Sequence, residues 1–220
     1  WISTFHSLCV KMLRIHGHLI GFNNNFTIYD QSDSTKLVRN CMRDSDIDTK
    51  QYSPKRIQAH ISSLKNQRIL PGEAVEFAQS FFDVKVAEIY SSYQKKLMLA
   101  NSMDFDDLLI KAVELLETSD KSLNYWSSKF QYIMIDEYQD TNMVQYRLVE
   151  LLASKHKNIC VVGDSDQSIY AFRGADIRNI EEFESDFKNA KVISLEKNYR
   201  SSQKILDIAN AVISNNPRKK

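Results

Sequence analysis

Two adjacent acids, Asp136 and Glu137, follow a short apolar run from Tyr132 to Ile135. A buried parallel strand delivers acids in this way to the C-terminal edge of an α/β sheet, where ligands bind. Adjacent Asp and Glu at such an edge suit nucleotide hydrolysis. One carboxylate holds Mg²⁺, directly or through water, and its neighbour accepts a proton from the attacking water. A strand followed by a solvated acidic turn accounts for the same stretch. A second run, Asn158 to Val162, leads into Gly163, Asp164, Asp166 and Gln167. Gly163 permits a sharp turn, and the uncharged Gln167 can touch a γ-phosphate or position a water. Alone, Gly-Asp is a tight turn. As neighbouring parallel strands, the two runs would bring Asp136, Glu137, Asp164 and Gln167 to one edge, a candidate nucleotide site.

Three further groups stand at junctions. Tyr170, Phe172 and Arg173 follow the second acidic edge, and two aromatics with an arginine suit base stacking and phosphate contact. The alternative is that the aromatics pack into the core. Tyr199 and Arg200 follow the apolar run 191–195. An arginine there can stabilise charge on a transferring phosphoryl group, or form a surface ion pair. Thr4 and His6 offer a hydroxyl and an imidazole for phosphate contacts; a helix capped by Ser7 explains that stretch as well.

The elements that must position these groups alternate. Runs 1–5, 132–135, 158–162 and 191–195 read as strands. Helices are expected over 7–16, 142–154, 176–187 and 202–214, and from an Asp104/Asp107 N-cap through Leu116. Such alternation predicts parallel βαβ units, an α/β fold. Between about 23 and 103 the texture is helical, with no convincing buried strand. Asp30–Asp33 starts one helix, Ser53-Pro54 a second and Pro71-Gly72-Glu73 another. Val86, Ile89, Tyr93 and Leu97 form a long apolar stripe. This block reads as an all-helical domain inserted into an α/β domain.

Composition limits the alternatives. With 43% hydrophobic and 26% charged residues the chain reads as a soluble globular protein. Its net charge of +1 gives no global field for nucleic acid, so any grip must be local. Cys9, Cys41 and Cys160 lack metal spacing and read as thiols in a reducing, cytoplasmic compartment. No run has the roughly 20 apolar residues of a membrane span. The five glycines form no G-x-x-x-x-G-K-[ST] phosphate loop, and the chain begins at Trp1 inside an apolar run. The expectation is a piece of a longer protein.

Thr4-Phe-His-Ser7, Asp104-Phe-Asp-Asp-Leu-Leu109, Ile135-Asp-Glu-Tyr-Gln-Asp-Thr141, Val162-Gly-Asp-Ser-Asp-Gln-Ser-Ile-Tyr170, Phe172-Arg-Gly-Ala175 and Asn198-Tyr-Arg-Ser201 occur in that order. Together they resemble the UvrD/Rep/PcrA family of ATP-dependent DNA helicases, across nearly the whole chain. The resemblance implies an incomplete RecA-like parallel sheet flanked by helices. Residues 1–22 and 104–195 would form part of the first motor domain, 23–103 the helical insert and 196–220 the start of a second motor domain. It also implies that Asp136 serves Mg²⁺, Glu137 activates water and Gln167 couples the γ-phosphate of ATP to DNA. Tyr170, Phe172 and Arg173 would face single-stranded DNA, with Thr4 and His6 on its backbone. Tyr199 would stack near the adenine and Arg200 reach the γ-phosphate. The implied activity is 3′–5′ movement on one strand and unwinding of duplex junctions in repair and replication.

Departures from the family are specific. Phe172 stands where Trp is usual and Tyr138 where Phe is also common. The phosphate loop would lie before Trp1 and the later motifs beyond Lys220. These 220 residues alone are therefore expected not to hydrolyse ATP, and to self-associate through a truncated sheet edge at Trp1–Phe5. Two rival readings are a non-catalytic single-strand-binding module and a metal-dependent nuclease using Asp136, Glu137 and Asp164.

Overall fold

The computed structural model describes residues 1–216. The chain opens with a helix, α1 (Phe5–His16), instead of the expected strand over 1–5. Thr4 is its N-cap: the Thr4 hydroxyl accepts from Ser7 N at 3.2 Å, and Leu8 N donates to Thr4 O at 3.1 Å. That cap draws Phe5 and His6 into the first helical turn, so the helix begins two residues before Ser7.

β1 (Thr27–Tyr29) follows, then α2 (Gln31–Asp44), α3 (Pro54–Asn66) and α4 (Phe81–Leu99), and the chain returns through β2 (Ser102–Asp104). β1 and β2 pair in parallel, Thr27 with Ser102 and Tyr29 with Asp104. This pair is absent from the sequence expectation, because three-residue strands carry no readable alternation. The helix expected from Pro71 is also absent; residues 71–77 form successive turns, and Leu70 N is held by the Glu73 carboxylate at 2.9 Å. α2, α3 and α4 pack on one another around Val38, Met42, Ile57, Ile61, Tyr90 and Leu97.

The expected Asp104 cap is present as a reciprocal capping box with Asp107 at the start of α5 (Phe105–Thr118). α6 (Asp120–Lys129) leads into β3 (Ile133–Ile135), α7 (Met143–Ala153) and β4 (Ile159–Val161). α1, α5, α6 and α7 enclose a second core that includes Leu13, Leu109, Leu116, Trp126 and Leu148. β3 and β4 pair in parallel, Ile135 opposite Val161. Beyond them stand two single-turn helices, α8 (Arg178–Glu181) and α9 (Phe183–Asp186), where one longer helix was expected. The run 191–195 forms no strand. Val192, Ile193 and Leu195 are exposed and, among the described residues, no neighbouring strand supplies a ladder, without which an apolar run has no reason to stay extended. α10 (Gln203–Ile213) closes the described chain.

The protein is thus a mixed α/β molecule with short parallel sheets flanked by helices, as a partial RecA-like domain requires. The sheets hold two strands each, and neither 1–5 nor 191–195 contributes.

Candidate nucleotide and nucleic-acid site

The acidic edge is assembled by β3 and β4. Their ladder continues past the strands: Val162 N donates to Ile135 O at 2.8 Å, and Tyr138 N donates to Val162 O at 3.0 Å. Asp136 and Glu137 therefore leave β3 beside the turn that carries Gly163 and Asp164. Both acids are exposed. Glu137 has φ +52°, a left-handed conformation unusual for a residue with a Cβ and strained by about 1–3 kcal/mol. Its N–H donates to Asp136 Oδ1 at 3.0 Å. Strain of this kind persists where neighbouring contacts over-determine the backbone.

The contact that joins the two strand ends is Gln139, 1% exposed. Its Nε2 donates to Glu137 Oε2 at 2.7 Å and its Oε1 accepts from Asp164 N at 3.1 Å. Sequence reasoning missed it, since nothing in the stretch signals that an amide two residues past an acid turns inward. Gly163 makes room for it: a Cβ there would lie 2.5 Å from Gln139 Oε1 and 2.8 Å from Ile180 Cδ1. On the β4 side, Asp164 accepts from Asp166 N at 3.0 Å and from Gln167 Nε2 at 2.8 Å. Asp136, Glu137, Asp164 and Gln167 are thus brought together, as expected. Asp140 lies just behind them. Burial first, and then the charge of Glu137, holds its carboxyl above the usual carboxylate range.

Among the described residues, no group of three or more His, Cys, Asp or Glu side chains could cage a metal ion. Mg²⁺ in nucleotide sites takes one or two carboxylates and completes its shell with phosphates and waters. Asp136, exposed with one oxygen bonded to the Glu137 N–H, fits that mode.

Beside the edge lies a cleft of about 1110 Å³. One wall is the loop after β4, with Tyr170 and the 79% exposed Phe172, their rings 5.9 Å apart and tilted by 44°. The opposite walls come from His6 and from Ser62, Asn66 and Asp106 on α3 and α5. Burial holds His6 below the usual imidazole range, which favours its neutral form. Phe105, half exposed and given no role from the sequence, stands edge-on to His6 with the ring centres 6.1 Å apart. Asn66 ties the walls together: Asn142 Nδ2 donates to its Oδ1 at 2.6 Å, and its own Nδ2 donates to Asp106 Oδ1 at 3.3 Å. His6 also lines a smaller cleft of about 440 Å³ with Thr4 and Asp136. The Thr4 hydroxyl is engaged in its cap and donates to Ser7 Oγ at 3.1 Å. The Arg173 side chain lies outside what the structure describes.

Tyr199 and Arg200 are not brought to the edge. Tyr199 is 85% exposed beside Lys197, and Arg200 N is held by Asn198 Oδ1 at 2.9 Å. Among the described residues no hydrogen bond joins either to Asp136, Glu137 or Asp164.

Residues 1–188 match the family model described as the UvrD/REP helicase N-terminal domain. Over all 220 residues the chain is 49% identical to an ATP-dependent DNA helicase PcrA of Staphylococcus aureus and 48% identical to that of Staphylococcus epidermidis. It spans about 30% of the length of these relatives.

Proposed function

We propose, from the premise that the chain belongs to the UvrD/REP helicase family, that it is the part of an ATP-dependent DNA helicase that activates water and grips one DNA strand. The observation that carries this reading is the Gln139 bridge: two parallel strands end in Asp136/Glu137 and Asp164/Gln167, and the aromatic ledge leaves the same edge. Glu137 accepts the proton of the attacking water. Asp136 would hold Mg²⁺, which when bound neutralises charge on the β- and γ-phosphates. Gln167 orients toward the γ-phosphate. Tyr170 and Phe172 stack on bases, with Arg173 beside them, and Thr4 and His6 meet the strand's backbone.

Tyr199 and Arg200 complete the site on the adenine and γ-phosphate when the segment after Leu195 closes on the edge. In this reading residues 1–22 and 104–195 belong to one motor domain. The 23–103 block is its insert, a division supported by its own core, and 196–220 opens a second motor domain. The helicase moves 3′ to 5′ and unwinds duplex junctions in cytoplasmic repair and replication. Alone, these 220 residues carry no phosphate loop and bind single strands without turnover. They self-associate through the apolar surface at Trp1, Tyr132 and Met134, each more than half exposed; a monomer by sedimentation at assay concentration contradicts this.

ATP turnover with and without single-stranded DNA tests the reading. A complete helicase polypeptide carrying this chain is expected to show DNA-stimulated turnover and to displace 3′-tailed but not 5′-tailed duplexes, while the 220 residues alone stay at background. Stimulated turnover by the short chain, or preference for the 5′ tail, contradicts it.

A further inference from the structure

We infer that Gln139 is the positioning residue through which the loop after β4, carrying Gln167 and Tyr170, sets the orientation of Glu137. This rests on the proposed hydrolytic role of Glu137. The side-chain amide of Gln139 has two ends, and both are used across the gap between the strands: Nε2 holds the Glu137 carboxylate and Oε1 holds the Asp164 N–H. Because a buried amide with both ends satisfied has one favoured orientation, a displacement of Asp164 N–H is transmitted to the oxygen of Glu137. The bridge is reinforced on its backbone side, where Ser168 Oγ donates to Gln139 O at 3.4 Å.

No other described side chain donates to the Glu137 carboxylate, and its own backbone is held left-handed. Its reactive oxygen is therefore aimed chiefly by Gln139. Gly163 belongs to the same device, since any side chain there strikes Gln139 Oε1. The loop that Gln139 reads is the one whose next residues carry the stacking rings of Tyr170 and Phe172. A strand bound on those rings restrains the loop, and the restraint reaches the water-activating group over two hydrogen bonds. Coupling of this type is carried by a contiguous chain of contacts with alternative arrangements.

The test uses a complete helicase polypeptide carrying this chain, with Gln139→Met, which keeps length and removes both hydrogen bonds. DNA-stimulated kcat is expected to fall on the order of 100-fold, the effect of a misaimed reacting group. KM for ATP, and single-strand affinity measured by fluorescence anisotropy without nucleotide, are expected to stay at wild-type values. Gln139→Glu keeps the volume and the acceptor for Asp164 N–H but sets a carboxylate against Glu137, and should lose kcat in the same selective way. Gly163→Ala, which pushes on Oε1 from outside, should reproduce the loss of DNA stimulation. Wild-type kcat in Gln139→Met overturns the inference. So does a fall in kcat matched by equal changes in KM and DNA affinity, which marks Gln139 as a packing residue only. If the unmutated polypeptide shows no DNA-stimulated turnover, the helicase reading itself fails, and this inference with it.

Discussion

Asp104 and Asp107 at the start of α5, and Asp136 and Glu137 after β3, are both close pairs of acids, and the molecule treats them in opposite ways. The first pair is buried and shares one internal cation. Lys65, fully buried on α3, reaches Asp104 Oδ2 at 2.7 Å and Asp107 Oδ1 at 2.8 Å. Tyr93 donates to Asp104 at 2.8 Å and Gln94 to Asp107 at 3.0 Å, so α3, α4 and α5 meet at one ion cluster. The second pair is exposed, and among the described residues no ion pair reaches it. Its side-chain partner is a neutral amide, Gln139. An acid cluster that brings its own cation is a latch between elements. One held in place by neutral donors keeps its charge available for a ligand.

The largest expected effect that sharpens this contrast is on the latch. Lys65→Met leaves two buried carboxylates without their cation and should cost about 3–5 kcal/mol of stability, read as a lowered urea midpoint. A loss below about 1 kcal/mol, the size of a surface pair, would make the two clusters alike.

A pH effect comes next. Burial, and then the charge of Asp104, pushes Asp107 up to about 6 against the pull of Lys65. Asp104 is opposed by burial too, but the charge and hydrogen bond of Lys65 bring it below the usual range. With its folded value above its unfolded one, Asp107 binds its proton more tightly in the folded state. Its contribution to stability is therefore full at acid pH and declines as pH rises from about 4 through about 6. Denaturant midpoints across that interval should fall relative to those of Asp107→Asn, in which this slope disappears. Parallel curves for the two proteins would contradict the assignment.

The smallest effect concerns an uncharged group at the acidic edge. Tyr138 is buried against Phe183, and among the described residues its hydroxyl meets no hydrogen-bond partner. Tyr138→Phe should stabilise the protein by about 1 kcal/mol, measured in urea, because the hydroxyl is desolvated without return. A loss of stability would mean that the hydroxyl is satisfied in solution.

Sequence and structure agree most where local chemistry decides. The capping box at Asp104, Pro54 inside the start of α3 and the long stripe of α4 were all legible. So was the acidic edge, because an apolar run ending in acids has one reading once a second such run lies beside it. Lys65 was not. It sits four residues after Ile61 on the apolar face of α3, but a lysine reads as solvated unless its distant acids are known. Gln139 escaped for the same reason: its meaning lies in Asp164, twenty-five positions away. The runs 1–5 and 191–195 look like strands, yet a strand needs a neighbour, and a good N-cap at Thr4 decides for helix.

The central claim is that Glu137, held by Gln139, activates water, and ATP turnover on single-stranded DNA by a complete helicase polypeptide with Glu137→Gln tests it most directly. The expected result is a fall of about 10²–10⁴-fold in kcat, the usual loss for a general base, with the urea midpoint unchanged because the side chain is exposed. Turnover equal to wild type would contradict the account and leave Asp136 and Glu137 as a solvated acidic turn.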